Sequence, residues 1–225
     1  MTSQDRDSLL SEQAYRRIKR MIVSLQLEPG ATVRELALVD QLGIGRTPIR
    51  EALQRLSLEQ LIEIIPRQGI FVTQIAVTDL QHLFEVRIPL EKLAARLAAS
   101  RGREANWRAM EQVLEAIAPT TGNLGNETLI QVDEQCHHLM YKASGNEYLE
   151  RAATTLYSSS LRLWYYFLSD IGDMREAVAE HKLILDAITA RQADKAADLM
   201  EEHIRVFHRE IQDAIGRQSL TPVLD

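Results

Sequence analysis

The segment GIGRTPIREAL, residues 43–53, most constrains the fold because it joins two short helical patterns through a glycine. The pattern before it covers 34–42 and ends at Gly43, which can adopt the left-handed conformation that closes many helices. The pattern after it begins at Thr47, the expected N-cap, has proline at the first helical position, and runs to about residue 59. Two short helices around a tight glycine turn predict a helix-turn-helix.

The flanking segments extend this motif to its winged form. Apolar residues at helical spacing over 11–25 predict a preceding helix, and β-branched runs over 61–65 and 70–75 predict a two-stranded hairpin. The tip of that hairpin is PRQG, residues 66–69. We therefore expect a winged helix-turn-helix domain over residues 1–76.

From residue 77 onward the sequence has a helical pattern. We expect six helices there, over 78–100, 104–118, 127–143, 147–170, 174–191 and 194–216. These helices would form an all-α bundle over residues 77–225. With 45% hydrophobic residues, the 225-residue chain is long enough to bury a core in each domain. The expected fold class is mainly α, with a small β-hairpin in the N-terminal domain.

Charge is distributed unevenly along the chain. The formal net charge is −6, from 26 Lys and Arg against 32 Asp and Glu. Residues 1–75 hold 10 of the basic and 9 of the acidic residues, so the remainder of the chain is the acidic part. An acidic body can therefore accompany an N-terminal domain that binds an anion. The single cysteine excludes an internal disulfide, and no apolar run is long enough to span a bilayer, so we expect a cytoplasmic protein with no membrane partner.

Arg46 and Arg50 are the first candidate functional residues. They lie four apart and share a helix face near a helix N-terminus, where free backbone N–H groups favour an anion such as a phosphate. Their guanidinium groups can form paired hydrogen bonds with a guanine edge or a phosphate, and the Thr47 hydroxyl can donate to either. Two isolated arginines would fit an ordinary solvated helix face. Beside the glycine turn and the hairpin tip, they favour DNA binding.

The stretch LGIGRTPIREALQRLSLEQLIEIIPRQGIFV resembles the winged helix-turn-helix of the GntR family of bacterial transcription regulators. The resemblance implies that Arg34 contacts a base or the DNA backbone, that Gly69 lets the hairpin tip approach the minor groove, and that Arg67 acts beside it. Two positions depart from the family pattern, because Gly45 replaces a usual serine and Leu25 a usual glycine. Neither departure affects the arginines.

One aspartate and three histidines of the second domain form a candidate metal site. Asp133 and His137 lie one helical turn apart, and Asp133 falls on an apolar stripe where a carboxylate needs a partner. His181 and His203 each lie among the apolar residues of another helix. A single such histidine is commonly a hydrogen-bonded core residue, but the four residues together fit Zn²⁺, Ni²⁺ or Mn²⁺. Three further residues are excluded as ligands: His138, His208 and Cys136.

The second domain resembles the FCD effector domain of the FadR-type branch of that family, in its VanR-like six-helix arrangement. The matching motifs are EVRIPLE at 85–91, DEQCHH at 133–138, ASGN at 143–146, EHKLILDAI at 180–188 and EHI at 202–204. The resemblance supports the metal site and implies a small carboxylate metabolite as effector. Arg87 and Arg162 are candidate clamps for that carboxylate, because a guanidinium fork matches it. Alternatively, Arg87 pairs with Glu91 and Arg162 is a surface residue.

These observations predict a ligand-responsive bacterial transcription regulator, a repressor, and not an enzyme. It would bind a near-palindromic operator as a homodimer, since one short helix reads too few base pairs for specificity. Two alternatives stay open. The helical domain could serve only dimerisation, with a structural metal, or the metal site could activate water in a metal-dependent enzyme.

Overall fold

The computed structural model describes the chain in two compact units. The first comprises Met1–Val77 with Ser158–Tyr166, and the second comprises Thr78–Tyr157 with Phe167–Asp225. The described residues are 3–76, 78, 80–117, 124–168 and 174–219. None of the helices within these ranges is long and apolar enough to cross a bilayer.

Residues 3–76 of the first unit form a helix-turn-helix with a small antiparallel sheet. Its elements are α1 (Ser3–Val23), β1 (Thr32–Val33), α2 (Glu35–Leu42), α3 (Arg46–Leu58), β2 (Ile62–Ile65) and β3 (Gly69–Val72). The sheet order is β1-β3-β2, so the predicted hairpin is confirmed and a third strand lies beside it. The sequence did not predict β1, because two residues are too short for an alternating pattern to appear.

The turn between α2 and α3 is the predicted glycine turn, but α3 starts earlier than expected. Gly43 has φ 66°, and its N–H donates to the Val39 carbonyl at 2.9 Å. The predicted N-cap Thr47 was wrong, because Gly45 is the N-cap, in an extended conformation with φ −62° and ψ 164°. Thr47 and Pro48 thus lie in the first turn of α3. Proline is tolerated there because the first backbone N–H groups of a helix have no intrahelical acceptor.

The core of the first unit lies between α1, α3 and the sheet. Its fully buried members include Ile18 and Ile22 of α1, Ile49 and Leu53 of α3, and Leu61 before β2. The apolar spacing on each helix places these side chains on one face, and their burial contributes about 1.5–3 kcal/mol per large aliphatic side chain. This core fixes α3 against α1, leaving the opposite face of α3 exposed.

The described residues from 80 onward form six helices, which confirms the predicted all-α body. They are α4 (Leu80–Arg101), α5 (Glu104–Ile117), α6 (Asn126–Ala143), α7 (Glu147–Tyr166), α8 (Arg175–Thr189) and α9 (Ala193–Ser219). In the second unit α4 packs along α9, while α8 contacts α4, α5, α6 and α9. The helix predicted over 147–170 ends earlier, at Tyr166. Residues 118–123, between α5 and α6, lie outside the described residues.

Candidate metal centre and DNA-binding residues

Three helices of the second unit bring together the four predicted metal ligands. Asp133 and His137 lie on one face of α6, His181 lies on α8 and His203 on α9. All four side chains are buried, and one ligand atom from each lies within 4.8 Å of the others. The cluster could therefore hold a metal ion.

The three imidazole rings converge on the Asp133 carboxylate through their Nε2 atoms. Asp133 Oδ1 is 3.5 Å from His181 Nε2 and 3.5 Å from His203 Nε2, and Oδ2 is 3.7 Å from His137 Nε2. The Nε2 atoms of His137 and His203 are 3.4 Å apart. These distances exceed the usual 2.9–3.0 Å of a direct N–H···O hydrogen bond, so the four groups surround a point without closing on one another.

Each ring is oriented by an acceptor on its other nitrogen. His137 Nδ1 is 3.0 Å from Glu91 Oε2, and His203 Nδ1 is 2.7 Å from Glu180 Oε2. His181 Nδ1 is 3.0 Å from the Ala177 carbonyl. Since a carbonyl or an ionised carboxylate only accepts, each Nδ1 carries a hydrogen, and in the neutral ring Nε2 then presents a lone pair.

That arrangement fits a cation better than it fits the protein alone. His181 Nε2 is buried and has no hydrogen-bond partner among the described residues. Its lone pair faces the Asp133 carboxylate, and two such groups repel unless a positive charge lies between them. One carboxylate and three imidazoles oriented by outer acceptors are a donor set suited to Zn²⁺ and related ions.

The ionisation of these groups follows from burial and mutual charge. Burial alone raises the pKa of Asp133, but His137, His203 and His181 together hold it well below its usual range. Burial, with the nearby charge of His203, lowers the pKa of His181 to about 3. For His203 burial also acts downward, but the adjacent carboxylates of Asp133 and Glu180 raise its pKa to about 9. Without a metal, a proton on His203 supplies the positive charge opposite Asp133.

A second layer of buried polar groups supports the cluster. Tyr157 donates to Asp133 Oδ2 at 2.7 Å, and Tyr141 donates to Glu91. Arg87 Nε donates to Glu91 Oε1 at 3.1 Å. Burial alone would raise the pKa of Glu91, but His137 and Arg87 lower it to about 2. The sequence did not assign Glu91, Tyr157 or Glu180 a role at the site, although Glu91 ends the EVRIPLE motif and Glu180 begins the EHKLILDAI motif.

The three residues excluded as ligands lie outside the cluster. His138 is half-buried, with Nε2 3.8 Å from Glu134. His208 stacks on Phe84 with ring centroids 4.4 Å apart. Cys136 is fully buried, and burial raises the pKa of its thiol well above the usual range.

The two predicted effector clamps occupy different units. Arg87 lies in the second unit and is 2% exposed, with the partner Glu91 that the alternative interpretation expected. Arg162 lies in the first unit and is 5% exposed, so it is not a surface residue. Its guanidinium donates to the Thr73 hydroxyl at 2.8 Å and to the Thr73 carbonyl at 2.5 Å. As effector contacts, both arginines stay predictions.

The predicted DNA-binding residues lie on the exposed parts of α2, α3 and the hairpin. Arg46 and Thr47 are in the first turn of α3, with Arg50 one turn later, and all three are exposed. Arg34 is the exposed N-cap of α2. At the hairpin tip, Arg67 is exposed with φ 67°, and Gly69 begins β3 with φ 131°, a conformation that disfavours other residues. Arg50 Nε donates to Glu35 Oε2 at 2.8 Å.

Two family models match the chain. The model described as "Bacterial regulatory proteins, gntR family" matches residues 10–72, and the model described as "FCD domain" matches residues 82–206. The Nta operon transcriptional regulator of Aminobacter aminovorans is 29% identical over 195 residues, which cover 87% of this chain and 91% of that protein. The probable D-xylose utilization operon transcriptional repressor of Paenarthrobacter nicotinovorans is 29% identical over 207 residues, covering 92% and 87%.

A solved structure agrees with the fold. E. coli McbR/YncC superposes with a TM-score of 0.76 at 23% sequence identity, covering 93% of this chain and 99% of that one. At this identity the likeness supports the order and packing of the helices and the small sheet.

Proposed function

Because the chain belongs to the gntR family of bacterial regulatory proteins and carries an FCD domain, we propose that it is a transcriptional repressor that responds to a small carboxylate. Its relatives are named as transcriptional regulators, and several are named repressors, so the chain is a regulator and the metal-dependent enzyme is set aside. We further propose how the chain binds DNA, a metal and the effector.

DNA binding would use the exposed face of the first unit. Arg46, Thr47 and Arg50 on α3 would enter the major groove, with Arg34 at the start of α2 beside them. Arg67 and Gly69 at the hairpin tip would approach the neighbouring minor groove. A single α3 contacts few base pairs, so we propose a homodimer on a two-fold symmetric operator.

The second unit would bind a divalent transition metal through Asp133, His137, His181 and His203. The observation that carries this proposal is His181 Nε2, buried opposite a carboxylate and without a hydrogen-bond partner in the described part of the chain. Three imidazoles favour Zn²⁺ or Ni²⁺, and Mn²⁺ is the third candidate. When bound, the metal would supply positive charge and open coordination positions that a carboxylate can fill.

A small carboxylate metabolite would act at this metal-bearing unit. Arg87 of this unit is the predicted clamp there, and it would have to exchange Glu91 for the effector. Arg162, the other predicted clamp, lies in the first unit and would have to release Thr73 to bind a carboxylate. Effector and metal would shift the equilibrium between conformations of the dimer. Operator affinity would be high only in the conformation that places both DNA-binding units on the operator.

Metal content and operator affinity test the proposal together. Elemental analysis should find near one equivalent of metal per protomer in the zinc-loaded wild type and a large loss in His181→Ala and His203→Ala. The matched control is His138→Ala, because His138 is a neighbouring histidine outside the cluster. Equal metal in all four proteins would refute the ligand assignment.

Operator binding separates the regulatory metal from a purely structural one. A duplex selected from a random library by the wild-type protein serves as the operator, and a panel of small mono- and dicarboxylates serves as effectors. A carboxylate that weakens operator binding of the metal-loaded protein at fixed salt supports the repressor. If metal removal lowers thermal stability while no carboxylate changes operator affinity, the dimerisation role stands instead.

A further inference from the structure

One of the candidate DNA-reading arginines is held by a carboxylate from the neighbouring helix. Arg50 Nε on α3 donates to Glu35 Oε2 on α2 at 2.8 Å. The side chain of Arg50 is 62% exposed and that of Glu35 is 30% exposed. The pair therefore lies at the surface where the proposed function places DNA.

Glu35 engages Nε of Arg50, which leaves the terminal nitrogens of the guanidinium for base contacts. A guanidinium has five N–H donors in a fixed planar fork, one on Nε and four on the two terminal nitrogens. With Nε–H engaged by Glu35, fewer orientations of the fork are accessible. Terminal N–H groups are then available to pair with two acceptors on one base, as an arginine does with O6 and N7 of guanine.

Glu35 is itself well placed to act as a fixed support. It is the first residue of α2, where the exposed N–H groups of the helix favour a negative charge. The helices α2 and α3 share the first unit's core through Leu38, Leu42 and Ile49, so the backbones that carry the pair are held by buried apolar contacts. The backbone that carries the Glu35 carboxylate is therefore held firmly beside Arg50.

A carboxylate at this surface also has a cost for binding. Glu35 repels phosphates, so it lowers the affinity for any DNA sequence. An exposed ion pair contributes little to folding stability, so stability alone does not explain a carboxylate here. We propose that Glu35 is a positioning residue that orients Arg50 for reading a base and so favours sequence discrimination over general DNA affinity. This inference rests on the proposed DNA-binding function.

The test compares charge removal at Glu35 with charge removal elsewhere on α2. The variants are Glu35→Ala, the isosteric Glu35→Gln, Arg50→Ala, the Glu35→Ala/Arg50→Ala double variant and Asp40→Asn. Asp40 is an exposed acidic residue of the same helix, which makes it the matched control. The probes are the duplex selected by the wild type, its single base-pair variants and a random-sequence duplex, with dissociation constants measured at several salt concentrations.

We expect Glu35→Ala to raise general DNA affinity and to lower base discrimination. Affinity for the random duplex should rise about twofold to threefold, since one repelling charge is removed. The penalty for one symmetry-related base-pair change should fall from about tenfold to about twofold, because Arg50 is no longer oriented. Glu35→Gln should lie between, and in the Arg50→Ala background Glu35→Ala should leave base discrimination unchanged. Asp40→Asn should raise both affinities equally.

The outcomes separate this inference from the function on which it rests. If Arg50→Ala loses a base preference that Glu35→Ala and Glu35→Gln both keep, Glu35 does not position Arg50, although Arg50 still reads a base. If Arg50→Ala itself keeps every base preference, the assigned role of Arg50 is wrong and the inference ends with it. Thermal unfolding of each variant shows whether lost discrimination reflects lost fold, and Glu35→Gln replaces Glu35→Ala if the alanine variant unfolds.

Discussion

Replacing His181 by leucine should have opposite effects on the apo and the zinc-loaded protein. In the apo protein, His181 Nε2 is buried and lacks a hydrogen-bond partner among the residues the structure describes. Leucine fills a similar volume without a polar atom. Among the described residues, the hydrogen bond that the substitution removes is that of His181 Nδ1 with the Ala177 carbonyl of the preceding helical turn. We therefore expect His181→Leu to leave the apo protein as stable as the wild type or more so.

The expected stability change of the apo protein comes from the buried polar atom, and that of the zinc-loaded protein comes from weaker zinc binding. An unsatisfied buried polar group destabilises the fold by about 1–3 kcal/mol, so removing it can stabilise the apo variant by up to that amount. Zinc at about 1,000 times its dissociation constant stabilises the wild type by about 4 kcal/mol. Loss of one ligand of four should weaken zinc affinity by at least about a hundredfold, which removes about 2.8 kcal/mol of that stabilisation. In a protein of this size 1 kcal/mol shifts Tm by roughly 2–4 °C.

Calorimetry of wild type and variant, with a chelator and with excess zinc, measures both effects. The zinc-induced rise in Tm of the wild type should fall by more than half in His181→Leu, while the chelated variant melts at or above the wild type. His138→Leu is the control, because His138 is half-buried and outside the cluster. A chelated His181→Leu that melts more than about 5 °C lower would mean that His181 stabilises the apo core, and an equal zinc shift in both proteins would refute its role as a ligand.

Three further predictions address the outer contacts, the DNA-binding face and the backbone. Glu180→Gln should weaken zinc affinity by about tenfold to a hundredfold in a competition assay with a chromogenic chelator, since the Nδ1 atom of His203 loses its carboxylate; unchanged affinity would mean that Glu180 does not orient the ring. Arg50→Ala should weaken operator binding by about 1–3 kcal/mol if Arg50 reads a base, whereas loss of a phosphate contact would lower the salt slope of binding by about one. If neither effect is observed, Arg50 does not contact DNA. Leu25→Gly should raise the stability to urea by up to about 1 kcal/mol, because Leu25 has φ 59°, where the side chain is strained; a loss of stability would show that its packing matters more.

The fold was largely predictable because periodicity extends over long segments. The six helices of the body match their predicted ranges to within a few residues at the described ends, since apolar residues recur at helical spacing along them. The start of α3 was not predicted correctly. Thr47-Pro48 is a common helix start, but an extended Gly45 serves as N-cap two residues earlier. The sequence permits both starts, and contacts in the folded chain select between them.

The candidate metal site was predictable in its members but not in its supports. Asp133 and His137 are one turn apart on an apolar face, and each partner histidine lies on an apolar face of its own helix. Glu180 could not be assigned in the same way. It precedes His181 directly, yet it contacts His203 on another helix, because adjacent helical residues point in directions about 100° apart. That pairing depends on how α8 and α9 pack, which no local pattern records.

The same physical device recurs at both candidate sites. Glu35 accepts from Nε of Arg50, and Glu91 and Glu180 engage Nδ1 of His137 and His203. In each pair a carboxylate engages the nitrogen nearer the backbone, which leaves the outer nitrogens for the proposed ligand. An acidic residue beside a functional cation or imidazole therefore lowers the freedom of that group while adding negative charge. On the proposed roles, part of the chain's acidity orients residues proposed to bind DNA or metal, so a net charge of −6 is compatible with DNA binding.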